Sequence, residues 1–133
     1  MREDADEREP ASNAAGLVIE MVDELALKRL IRVKRLFLHG AYHAEKNNEL
    51  DRFLAIHHLD NSIELFLKVV GTKEGMNDAV KQDFSFKDLW NGVGGKLGQK
   101  TPPYVLPLKD QIFALHETRN MAHVSAHSLN LLE

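Results

Sequence analysis

The 133-residue sequence predicts an all-α protein, an up-and-down bundle of four to five helices. Three observations carry that expectation. Apolar residues recur at helical spacing through three long segments, about 14–47, 49–70 and 108–131. No segment alternates apolar and polar residues as a half-buried strand would. All four prolines, at positions 10, 102, 103 and 107, fall outside the long segments.

Composition narrows the class. A hydrophobic fraction of 44% and a charged fraction of 28% are those of an ordinary globular domain, and the length suits one core rather than two. No apolar run approaches the roughly 20 residues needed to span a bilayer, and no signal peptide opens the chain, so no membrane association and a cytoplasmic location are expected. The absence of cysteine agrees with a reducing compartment and removes disulfides, thiolate metal ligands and a thiol nucleophile. A net charge of -3 argues against coating nucleic acid by bulk electrostatics. Residues 2–9 hold five acids and two bases without apolar periodicity, so residues 1–13 are expected to be a disordered acidic tail and 14–133 a single helical domain.

The first helical segment carries Leu17, Val18, Met21, Leu25, Leu30, Val33, Leu36 and Phe37 at helical spacing. It is either one long helix or two joined by a kink near Gly40. Lys28, Arg32 and Arg35 line one side, a solvated face or a short phosphate-contacting strip. His39 and His43 stand at i and i+4, a spacing that can bind a metal, but no acidic ligand and no His-Glu-x-x-His completes the pattern. No metal and no cofactor are expected.

Lys46-Asn47-Asn48 makes the turn, with Asn48 as N-cap and Asp51 at the third helical position. The second helix is expected to end near Val70 with Gly71 as its C-cap. Between its two apolar faces runs a strip of His57, Asp60, Asn61, Glu64 and Lys68. Glu64 and Lys68 form a favourable i to i+4 pair, and Asp60 and Glu64 are placed to face a neighbouring helix. A polar connection over 71–84 follows. Ser85 caps a short third helix carrying Leu89, Trp90 and Val93, which fades at Gly94-Gly95 or Gly98. The proline-bearing loop 99–107 cannot be helical, and Pro107 is placed to start the last helix. The core is expected between the three long helices.

The last helix holds the most unusual stretch, residues 116–127, with three of the seven histidines around one Arg-Asn pair. At 100° per residue, Arg119, His123, His116, His127 and Asn120 fall within about 100° of arc, flanked by apolar residues on both sides. That pattern predicts a polar seam between packed helices. Histidine titrates near neutrality and arginine offers a fixed fork for phosphate or carboxylate, so the stripe is the candidate site.

Residues 55–68, Ala-Ile-His-His-Leu-Asp-Asn-Ser-Ile-Glu-Leu-Phe-Leu-Lys, and 115–120, Leu-His-Glu-Thr-Arg-Asn, together resemble two helical signatures of the HEPN superfamily (higher eukaryotes and prokaryotes nucleotide-binding). The resemblance covers most of residues 17–131. It implies a HEPN-like bundle and a metal-independent endoribonuclease of toxin or defence type, working at a homodimer interface. It implies Arg119, Asn120, His123 and His127 as catalytic residues, and Asp60, Glu64 and His116 as substrate-binding ones. The spacer is non-standard: four, five or six intervening residues would put the histidine at Val124, Ser125 or Ala126, whereas the histidines stand at 123 and 127. RNA or a nucleotide and an antitoxin-type protein are the implied partners. The alternatives are a non-catalytic nucleotide-binding, RNA-binding or dimerisation module of the same fold, and a plain structural helical domain.

Overall fold

The structure, a computed structural model, describes the backbone of residues 11–130 and the side chains of residues 24–122. Four helices follow one another: α1 (Ala11–Ala44), α2 (Glu49–Lys73), α3 (Phe86–Gly98) and α4 (Lys109–Asn130). No strand occurs among the described residues, so the all-helical class holds. No helix among them is long and apolar enough to cross a membrane. Of the expected disordered tail, residues 1–10 lie outside the described residues, whereas residues 11–13 already belong to α1.

Local chemistry sets the helix ends. α1 continues through Gly40 without a break. That glycine permits contact rather than a bend: a Cβ there would stand 2.8 Å from Leu59 Cγ and 3.1 Å from the Leu59 backbone nitrogen, which measures how closely α1 and α2 approach. At the start of α2 the Asn48 side chain accepts from the Asp51 N–H at 2.8 Å. At the start of α3, Ser85 Oγ accepts from the Asp88 N–H at 3.1 Å. Both satisfy amides that the first turn leaves unpaired.

The end of α2 departs from expectation. Gly71 is buried inside the helix, which continues to Lys73, and the terminating glycine is Gly75 at φ 95°. The Gly75 N–H donates to Thr72 O at 3.2 Å and the Met76 N–H to Gly71 O at 2.9 Å, the paired closure of a Schellman end. Gly71 is small for packing reasons, since a Cβ there would meet Met76 Sδ at 2.9 Å and Val93 Cγ2 at 3.2 Å. α4 likewise begins after Pro107 and Leu108, with the Ile112 N–H donating to Leu108 O at 2.9 Å and Leu108 itself at φ 60°.

The core also differs from the three-long-helix arrangement. Its buried centre is Leu67 of α2 with Phe86, Leu89, Trp90 and Val93 of the short α3, and Ile112 and Phe113 of α4 close it. Phe113 meets the rings of Phe86 and Trp90 edge to face at 5.4 and 5.6 Å. Full burial of side chains such as Leu67, Leu89 and Val93 contributes about 1.5–3 kcal/mol each. Among the described residues, α1 packs on α2 alone of the helices. The reason lies in its pattern: apolar residues spread around much of its circumference, α2 covers one stripe, and Leu27, Phe37, Leu38 and Tyr42 stay more than half exposed.

Candidate functional site

The α2–α4 contact brings together a carboxylate, an imidazole and a guanidinium. Asp60 has no solvent exposure. His116 Nδ1 lies 3.1 Å from each of its oxygens, and Arg119 Nη1 donates to Oδ2 at 3.3 Å. His116 and Arg119 stand three residues apart, so they share a face of α4. The His116 ring stacks on Phe86 at 4.1 Å with 12° between planes, so the α3 core fixes its orientation. A buried carboxylate needs donors to offset its desolvation, and here each donor comes from the helix it holds. The Arg119 side chain stays 29% exposed, and of its guanidinium nitrogens Nη1 is the one engaged with Asp60.

The remaining predicted residues are placed differently. Asn120 is exposed beside this trio and is not among the Asp60 partners. Glu64 does not join the seam: it pairs with Lys68 at 3.5 Å. One helical turn moves it about 6 Å along α2 and about 40° around it from Asp60, toward the edge where that lysine lies. The side chains of His123 and His127 lie outside the described residues. On α1, Lys28, Arg32 and Arg35 are exposed, with Lys28 paired to Glu24 at 3.2 Å, while Arg29 reaches Asp78 in the α2–α3 loop at 3.4 Å.

A second polar cluster occupies the α1–α2 hairpin. His39 and His43 of α1 meet His58 of α2, with one nitrogen from each ring within 4.8 Å of the others. His58 stacks on His39 at 4.5 Å and lies parallel to His43 at 6.0 Å. The other side of His43 is held by Asp51, whose Oδ1 is 2.5 Å from Nδ1. Asn48 Nδ2 donates to Asp51 Oδ2, so the N-cap of α2 anchors the acid that orients His43. Hydrogen bonds from His43 and Asn48 hold the Asp51 carboxyl below its ordinary value. Burial pushes the His58 imidazole down, and His39, His43 and His57 add to that. His58 Nδ1 is buried without a hydrogen-bond partner.

Reading residues 39 and 43 as an isolated pair missed His58 and Asp51. The signal available was symmetry: an antiparallel hairpin turning at 46–48 sets residue 43 opposite about 51 and residue 39 opposite about 55, within one turn of His58.

Neither a family model, nor a curated protein, nor a solved structure matches the chain.

Proposed function

We propose that this chain is a HEPN-like RNA-targeting domain, acting as a metal-independent endoribonuclease of toxin or defence type with its Arg-Asn…His site at a homodimer interface. The observation that supports the reading is the seating of His116 and Arg119 of α4 on the fully buried Asp60 of α2. Asp60 fixes the guanidinium of a side chain that stays partly exposed, and it takes the Nδ1 side of His116, which leaves Nε2 as the basic nitrogen.

In this reading the ribose 2′-hydroxyl attacks the adjacent phosphorus. A histidine, His116 through Nε2 or His123 or His127, removes the hydroxyl proton. Arg119 and Asn120 hold the non-bridging oxygens as their charge grows, and a second histidine returns a proton to the departing 5′-oxygen. The products are a 2′,3′-cyclic phosphate and a 5′-hydroxyl, and the requirement for a 2′-hydroxyl selects RNA. Leu108, just before α4, and Met121, within it, are exposed apolar residues available to a second copy, and an antitoxin-type protein is a further partner in this reading.

One observation favours a second reading, a non-catalytic binding or dimerisation module: the Arg119 charge is already matched by a buried acid, as in a pair that serves to dock helices. The deciding experiment is RNA cleavage in EDTA by the wild type, Arg119→Ala and the His123→Ala, His127→Ala double variant. Cleavage by the wild type with cyclic phosphate ends, lost in both variants, is the expected result. A folded dimeric wild type that does not cut RNA, whether or not it binds it through Arg119, supports the second reading, and a folded monomer that neither binds nor cuts overturns both.

A further inference from the structure

Three imidazoles on two helices, one of them with a buried and unpartnered nitrogen, form a group that nothing in the RNA-targeting reading uses. We propose that His39, His43 and His58 are the ligands of a divalent transition metal of the zinc type, with Asp51 orienting His43 and a water completing the coordination. The proposal does not depend on the RNA-targeting reading, because His58 and Asp60 are two residues apart on α2 and so about 200° apart around it.

Tetrahedral coordination by imidazole at about 2.0–2.1 Å places ligand nitrogens about 3.4 Å apart. The three nitrogens already lie within 4.8 Å of one another, and the rings, stacked in the metal-free chain, turn out of their parallel planes to aim them at one ion. The donor set selects the ion. Three neutral nitrogens with no carboxylate among them suit zinc, copper or nickel and suit calcium or magnesium poorly. His43 already has the outer arrangement of a metal-bound histidine, with Nδ1 on a carboxylate and Nε2 left to face the ion. That carboxylate is itself held by the Asn48 cap, so the supporting shell is built into the start of α2. His58 Nδ1 gains the partner it lacks when its ring ligates or turns. His39 is exposed, which gives the ion an entry path and keeps the fourth position open to water.

The test is calorimetric titration of zinc chloride into the full chain, chelator-treated and free of any added histidine tag. Cobalt absorption then serves as the spectroscopic readout of ligand number. One zinc per chain is expected. His39→Gln, His43→Gln and His58→Gln are each expected to weaken binding at least about 100-fold, and Asp51→Asn about 10- to 100-fold. The exposed His39 makes His39→Gln the variant least able to disturb folding, and circular dichroism checks each chain. The His123→Ala, His127→Ala double variant is expected to bind zinc like the wild type. Absence of stoichiometric binding by folded wild type overturns the proposal. So does binding that survives His39→Gln and His58→Gln, or that disappears with His123 and His127.

Discussion

Asp60 and His58 stand two residues apart on α2 and face different helices, and their polar atoms are treated in opposite ways. Asp60, fully buried, has His116 and Arg119 closing on its two oxygens. His58, partly buried among two other imidazoles, keeps an Nδ1 with no partner, and the nearest carboxylate in the cluster is committed to His43. The first cluster is complete within the chain and holds α4 against α2. The second carries a desolvation cost of about 1–3 kcal/mol that an apolar side chain of similar size would avoid. A polar group kept at that cost points to an occupant from outside the chain; in the first cluster the Asp60 carboxylate has no such need, and only the partly exposed Arg119 remains for one.

The comparison can be broken most forcefully at Asp60. Replacing Asp60 with Ala is expected to lower unfolding free energy by about 3–5 kcal/mol in urea titration, because two donors lose their buried acceptor; a loss below about 1 kcal/mol would make the trio incidental to α2–α4 packing. Next in size is Gly40→Ala. Its Cβ would press on Leu59, and the overpacking cost of about 1–3 kcal/mol outweighs the gain of about 1 kcal/mol in helix propensity. A net destabilisation of about 1 kcal/mol is expected, together with weaker zinc binding as α1 is pushed away from His58.

A change of opposite sign is expected at His58 itself. In metal-free protein, His58→Leu should raise stability by about 1 kcal/mol by removing the unpartnered nitrogen, while abolishing any zinc-dependent rise in melting temperature. Destabilisation of the metal-free chain would show that the imidazole is held by contacts of its own. The smallest effect concerns Asp78. Burial raises its pKa, but Arg29 and Lys81 outweigh that and hold the carboxyl below its ordinary 3.8. A depressed folded value means stability that is present above pH 3.8 and is lost as pH falls through the folded pKa. The difference in denaturation midpoint between wild type and Arg29→Gln should therefore shrink on acidification below that pH; a constant difference would assign the role of Arg29 to packing.

What could be read without the structure was mostly local or periodic. Asn48 and Ser85 as caps depend on a few adjacent residues, and both cap as expected. The arc joining His116 to Arg119, set beside Asp60 on a strip bounded by apolar residues, anticipated the α2–α4 contact because amphipathic faces must meet. Gly71 misled because a glycine near a helix end can serve conformation or packing, and only the positions of Met76 and Val93 distinguish them. Glu64 shared the strip with Asp60, yet Lys68 was nearer than α4. The prominence of α3 in the core was hidden by its length, since thirteen residues contribute Leu89, Trp90 and Val93 to one spot. His58 required knowing which residues face each other across the hairpin, information carried by the register of α1 on α2 and by neither helix alone.

Among the described residues α1 packs on no helix but α2, with the Arg29–Asp78 pair as its further tie to the α2–α3 loop, and this sets how the molecule opens. α1 can swing away while Leu67, Leu89 and Val93 stay packed, so its backbone amides should exchange with deuterium through a cheaper, separate opening than those of α2 and α3. An ion bridging His39 and His58 would staple that movable arm near the turn, and the slow-exchanging set would then extend from the three-helix core into the C-terminal half of α1.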